Sequence, residues 1–176
     1  MAITVRAATA GDLAAITALY SHHVEHGTAS FELAAPDGEE MRRRWREVVE
    51  GGLPYLVATL SPDAGTVAGY AYASPYRARP AYRFTLEDSV YVAPSCAGRG
   101  AGRALLAAVI AACEPLGYRQ MVAVIGGSDN AASIGLHTAL GFERAGCLTA
   151  VGRKFDRWVD TVLMQRALGP GATAPR

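Results

Sequence analysis

Short alternating runs open the chain, and helical spacing interrupts them at intervals. Ile3–Arg6 alternates apolar with polar, the period of a strand with one buried face. Leu13, Ile16, Leu19 and Tyr20 then recur on one helical face, which predicts a helix over Asp12–His23. Thr9, with Asp12 three residues on, supplies its cap. Gly27–Leu33 reads as a loop. Pro36–Glu50 reads as a second, more polar helix whose packing face is Met41, Trp45, Val48 and Val49, stopped by Gly51 and Gly52. Tyr55–Leu60 and Val67–Tyr72 are β-branched and aromatic runs joined by the turn sequence SPDAG, a hairpin signal. Arg83–Val92 extends as another strand. The helix Gly102–Leu116, the strand Val122–Ile125, the helix Ala131–Leu140 and the strands Cys147–Lys154 and Trp158–Arg166 follow.

Strands first, then strands alternating with helices, predict an α+β (mixed α/β) protein: a central mixed sheet with helices on both faces. No repeat or linker divides the chain, so residues 1–168 are expected to form a single domain, with a disordered tail over 169–176. The 176 residues carry a net charge of +1, which offers no broad field for nucleic acid or a membrane surface. The longest apolar stretch, Ala104–Cys113, is far too short to cross a bilayer. The beginning of the chain lacks the pattern of a secretion signal. Cys96, Cys113 and Cys147 have neither metal-ligand nor redox spacing, and they read as reduced thiols of a cytoplasmic protein.

The chemistry concentrates in Leu86–Leu106, LEDSVYVAPSCAGRGAGRALL, where a strand runs through a glycine-rich turn into a helix. A helix N-terminus presents unpartnered N–H groups and a partial positive charge, both of which attract phosphate. Gly98, Gly100 and Gly102 let the backbone approach an anion closely, and Arg99 and Arg103 add charge. The Lys-Ser/Thr pair of a Walker A loop is absent, and the glycines lack dinucleotide-fingerprint spacing.

Gly-x-Gly-x-Gly after Val-Tyr-Val-x-Pro resembles the coenzyme A loop of the GCN5-related N-acetyltransferases (GNAT), with Ala97 where that family usually has Gln or Arg. Val122–Phe142 is similar to the family's second conserved region, with His137 at the position of its usual Tyr. TASFE (28–32), PYRARPAYRFTLEDSVYV (75–92), RQMVAVIGGSDNAASIGLH (119–137) and VGRKFDRWVDTVLMQ (151–165) together resemble the phosphinothricin and methionine sulfoximine acetyltransferase branch. The resemblance implies the GNAT fold, a mixed sheet of about seven strands. It also implies acetyl-CoA as co-substrate with no metal, a small amine acceptor, and a homodimer.

On that resemblance Glu87 is the expected general base and His137 a candidate proton donor to the departing thiolate, or else a packing or capping imidazole. Strand alternation pairs Glu87 with Ser89 on one face and Asp88 with Val90 on the other, and either face could meet the acceptor. Val90, Tyr91, Val92, Gly98, Arg99, Gly100, Ala101, Gly102, Arg103, Asn130 and Ser133 are the expected coenzyme contacts, the Val92 N–H or a neighbour serving the thioester oxygen. Phe31, Glu32, Tyr76, Arg77, Arg79, Tyr82, Glu87 and Ser89 are the expected acceptor contacts, since an arginine fork suits a carboxylate or phosphinate. Lys154 and Trp158 either close the cleft from a partner subunit or are ordinary hairpin residues. His22, His23 and His26 cluster, but with no evident third ligand they read as helix-end residues rather than a metal site. Two alternatives remain: an acetyltransferase for another small amine or a peptide N-terminus, and a coenzyme A-binding sensor without turnover, which Ala97 favours.

Overall fold

The computed structural model describes residues 2–60 and 66–173. Seven strands form one sheet: β1 (Ile3–Ala7), β2 (Tyr55–Leu60), β3 (Val67–Pro75), β4 (Thr85–Val92), β5 (Gln120–Gly126), β6 (Glu143–Lys154) and β7 (Arg157–Ala167). Their spatial order is β1-β2-β3-β4-β5-β7-β6. Successive strands pair antiparallel except β4 and β5, which are parallel because the helix α3 (Ala101–Cys113) carries the chain back across the sheet between them.

Alternation along the strands builds two cores. Leu105, Leu106, Val109 and Cys113 of α3 are fully buried against Ala58, Ala71, Leu86, Met121 and Val162 on one face. Each large aliphatic side chain so buried contributes about 1.5–3 kcal/mol. The helix α4 (Ala131–Ala139) packs Ile134 and Leu136 on the same core. The opposite face carries α1 (Leu13–His26) and α2 (Gly38–Glu50), whose Ile16, Leu19, Val24 and Met41 close over Tyr55, Val57 and Tyr70.

Several boundaries shift from expectation for local reasons. A single 3-10 turn, Ala10–Asp12, precedes α1, and Asp12 accepts from the Thr9 N–H (2.7 Å) and from both Arg6 guanidinium nitrogens (2.7 and 2.8 Å). Asp37, not Pro36, caps α2 by accepting from the Glu40 N–H. Pro115 stops α3 at Cys113 and leaves one 3-10 turn beyond it. The strand β6 starts at Glu143, earlier than expected, and its register shifts between Arg144 and Gly146 and again between Leu148 and Gly152, where Ala150 has φ 54°. The expected SPDAG turn lies outside the described residues. Gly169–Thr173, expected as disordered tail, forms turns in which the Gly171 N–H donates to the Leu168 carbonyl.

Candidate active site

The parallel pairing of β4 with β5 runs from Thr85↔Gln120 to Asp88↔Ala123 and stops there. Both strands continue, β4 to Val92 and β5 to Gly126, so they part and open a gap through the sheet. A cavity of about 310 Å³ fills it. Five consecutive β4 residues, Glu87, Asp88, Ser89, Val90 and Tyr91, line this cavity, so it is reached from both faces of the strand. Val124, Gly126, Asn130, Ser133 and His137 line it from β5 and α4.

Backbone direction adds to this. The Ala93 N–H donates to Ala68 on β3, so the alternate residues Val92 and Val90 turn their backbone groups away from β3, toward the gap. The Val92 carbonyl accepts from His23 Nε2–H at 2.9 Å, which fixes the end of β4 against α1. Burial holds His23 below the usual histidine range despite that bond, so it serves as a neutral donor. His22 and His26 stack on each other with ring centroids 4.5 Å apart.

Glu87 is half-buried, and its carboxyl is pushed up to about 7, first by burial, then by the neighbouring Asp88 charge, with Arg77 opposing. His137 is 3% exposed. Its Nδ1–H donates to the Ser133 carbonyl at 2.7 Å, and Nε2 lies 2.9 Å from Asp88 Oδ2. Its ring meets Phe142 edge-on. Burial opposes an imidazolium here, but the Asp88 hydrogen bond and charge, with the Ser133 carbonyl, raise His137 above the usual histidine range. Asn130 caps α4, accepting from the Ser133 N–H at 3.2 Å.

The acceptor residues expected from sequence fall into three groups. Phe31, Glu87 and Ser89 are on the cavity wall. Glu32 is not: its Oε1 accepts from the Tyr20 hydroxyl (3.0 Å) and Arg44 Nη1 (2.6 Å), so it straps the loop to α1 and α2. Tyr76, Arg77 and Tyr82 cluster at the end of β3, with the guanidinium 5.1 Å from the Tyr76 ring centre. The two tyrosines border a separate groove with Val122 and Leu163, while the Arg77 charge still reaches Glu87. Arg79 opens the 3-10 turn Pro80–Tyr82 and is exposed.

The Thr28–Glu32 loop is held in part by Lys154, from within the same chain rather than from a partner subunit. Lys154 Nζ, of the same chain, is buried and donates to the Ser30 carbonyl at 2.7 Å. Phe31 lies over Gly152 and Gly126, where an added Cβ would come within 2.3 Å and 2.9 Å of its ring. Only residues without a side chain allow that approach. Asp88, whose face alternation left open, and Tyr72, which the sequence did not single out, are also on the wall. A carboxylate two residues after buried Leu86, on the same strand face, was a usable signal for Asp88.

At the far end of β4 the glycine loop leads into α3. Gly98 (φ 72°) and Gly100 (φ 89°) adopt left-handed conformations, with Gly100 at the helix cap. Gly102 packs closely, its Cβ position 3.3 Å from Val92 and Leu136. Arg99 and Arg103 are exposed beside the loop.

Residues 17–142 match the acetyltransferase (GNAT) family. The chain belongs to that family. Its resemblance to the phosphinothricin and methionine sulfoximine branch holds along its length. It is 58% identical to a phosphinothricin N-acetyltransferase of Alcaligenes faecalis over 98% of this chain and 86% of that protein. It is 42% identical to an L-methionine sulfoximine/L-methionine sulfone acetyltransferase of Pseudomonas aeruginosa over 99% of this chain and all of that one. The structure of a phosphinothricin acetyltransferase from Sinorhizobium meliloti in complex with AcCoA superposes with a TM-score of 0.95 at 46% identity, covering 99% of this chain and 93% of that one. This GNAT chain is accordingly an acetyl-CoA-dependent N-acetyltransferase.

The site suits that co-substrate. Gly98 has open space where a side chain would stand and the Cβ position of Gly100 meets only Ile3, at 3.7 Å, at the start of a helix flanked by two arginines. The backbone of Val90 and Val92 is turned toward the gap.

Proposed function

We propose that this enzyme moves the acetyl group of acetyl-CoA to the amino group of a small amino acid analogue: phosphinothricin, methionine sulfoximine or methionine sulfone. The observation that carries this reading is Glu87, a half-buried carboxylate on the wall of the gap, placed and tuned to take a proton near neutral pH. Such acceptors arrive as ammonium ions and must lose a proton before they can attack. The relatives named for these compounds support the choice of acceptor.

In this reading Gly98–Arg103 hold the pyrophosphate, and Val90–Val92, with Asn130 and Ser133, line the pantetheine arm. The bound co-substrate supplies an activated thioester. The Val92 N–H polarises the thioester oxygen, a role supported by the direction of the β4 backbone. Phe31 and Ser89 shape the acceptor site, and the Arg77 guanidinium attracts the acceptor's anionic group from its edge. Transfer is direct. Cys96 is buried and off the cavity wall, and burial pushes the Cys113 thiol up to about 12, so neither is an activated nucleophile.

The same reading takes the enzyme as cytoplasmic and homodimeric, with a role in resistance to a phosphinothricin herbicide. Leu148, Val151, Phe155 and Trp158 on the β6–β7 hairpin are exposed, an apolar surface that supports pairing of two copies.

The test is thiol release from acetyl-CoA with phosphinothricin, methionine sulfoximine, methionine sulfone, the twenty amino acids and a peptide. Saturable release with the first three supports the proposal. Release with the peptide alone assigns another acceptor, and acetyl-CoA binding without release to any amine returns the sensor.

A further inference from the structure

Asp88 is a carboxylate in a core position. It shares the α3 face of β4 with fully buried Leu86, and its side chain is 1% exposed. Its Oδ2 meets His137, while Oδ1 is buried with no hydrogen-bond partner among the described residues. An ion pair in such surroundings is a poor source of stability, since apolar residues of similar volume would serve as well. The protons explain what the pair does.

A carbonyl oxygen can only accept, so the 2.7 Å contact with Ser133 requires a hydrogen on His137 Nδ1. The 2.9 Å contact between Nε2 and Oδ2 then requires one proton shared between those two atoms, because two facing lone pairs would repel. The pair therefore stores one proton on the wall of the gap. Glu87, the adjacent residue, faces the other side of the sheet.

We propose that Asp88 is a positioning residue for acetyl transfer: it keeps His137 doubly protonated, and the proton between Nε2 and Oδ2 is the one delivered to sulfur as the thioester breaks. This rests on the acetyl-transfer reading above. The nitrogen–carbon bond forms, the carbon–sulfur bond breaks, and its electron pair leaves on sulfur. His137 Nε2 gives its proton to that sulfur, leaving neutral imidazole beside the Asp88 carboxylate. The ammonium nitrogen loses two protons in all, through Glu87 to solvent, and one proton returns from solvent to the pair. One proton is thus released for each amide formed.

The base Glu87 and the carboxylate that positions the acid, Asp88, stand on opposite faces of one strand, with opposite tasks. The titratable groups coupled to Asp88 besides His137 are Glu87 on the same strand and the buried Cys113 thiol of α3. The Asp88 charge raises both; the Cys113 thiol therefore stays protonated at neutral pH, and Glu87, which does gain its anionic form there, faces the other side of the strand. Raised burial cost alone would have discharged the histidine.

The experiment is nitrogen-15 NMR of the histidine side chains in the ligand-free protein, with steady-state kinetics of wild type, Asp88→Asn and Asp88→Ser. Wild-type His137 is expected to remain doubly protonated above the ordinary histidine pKa of about 6.5, and to lose that proton at lower pH in both variants. The variants should lose about tenfold or more in kcat, with KM for acetyl-CoA changed less than about threefold. Circular dichroism melting identifies a variant that has not folded, and the wild-type spectrum decides without either. A wild-type His137 that loses its proton near its ordinary pKa of about 6.5, or a folded variant with unchanged kcat, overturns the proposal. Failure of wild-type enzyme to acetylate any amine overturns the underlying reading instead, and the NMR result is independent of it.

Discussion

Glu87 and Asp88 are adjacent on β4 yet point to opposite sides of the sheet, and both reach one cavity because β4 and β5 part immediately beyond them. The pairing ends at Asp88, so the gap begins where the two carboxylates stand. One is half-buried and positioned to exchange a proton, and the other is sealed against His137.

The first consequence concerns pH. With its carboxyl near 7, Glu87 gains its base form as pH rises through neutrality, so kcat/KM for the amine should climb over pH 6–8 in wild type. Glu87→Gln should lower kcat about 10²-fold or more and remove that limb. An identical pH profile in the variant eliminates Glu87 as the base.

The same shift has a stability counterpart of opposite sign. A carboxylate raised in the folded state favours folding below its unfolded value of 4.5, and that advantage is lost as pH rises through 7. Glu87→Gln should therefore melt with wild type at pH 4 and above it at pH 8. Equal melting at both values would mean that the burial of Glu87 costs nothing.

Phe31 and its glycine cradle give a test of acceptor selection. In Gly152→Ala the new methyl would lie 2.3 Å from the Phe31 ring, which must move aside. KM for the amine should rise several-fold, about 1 kcal/mol, with KM for acetyl-CoA unchanged. Gly126→Ala meets the Thr28 carbonyl at 2.0 Å, a backbone atom, and should instead destabilise the fold by about 1–3 kcal/mol. A Gly152→Ala enzyme with wild-type constants for both substrates removes Phe31 from the acceptor site.

Asp12 offers a prediction remote from the chemistry. Hydrogen bonds from Arg6 and Thr9 hold its carboxyl well below the usual range, against the cost of burial. Its contribution is present above the unfolded value of 3.8 and is lost as pH falls toward the folded one. Asp12→Ala should cost about 1–3 kcal/mol at pH 7, measured by denaturant unfolding, and the deficit should shrink in acid. A constant deficit from pH 7 down to 2 would assign the loss to packing.

Much of this was legible in the sequence because it is local. Thr9 with Asp12, the helical spacing through Leu13 and Leu19, and the glycine turn before α3 each carry their signal within a few residues. What was not legible depends on distant partners. Alternation put Glu87 and Asp88 on different faces but could not choose between them, since the choice lies in where β5 stops pairing. Glu32 looked like an acceptor contact until α2 brought Arg44 to it. The cradle under Phe31 joins glycines from β5 and β6, brought near each other because Gly126 pairs with Thr161 and Gly152 with Val159 on the intervening β7.

The most direct measurement of the central claim is an initial-rate matrix in acetyl-CoA and phosphinothricin, with mass spectrometry of the products. Intersecting reciprocal plots, and an amine product heavier by one acetyl group with free coenzyme A, are predicted for direct transfer in the gap between β4 and β5. Parallel plots with an acetylated enzyme, or no acetylated amine at saturating concentrations, would contradict it.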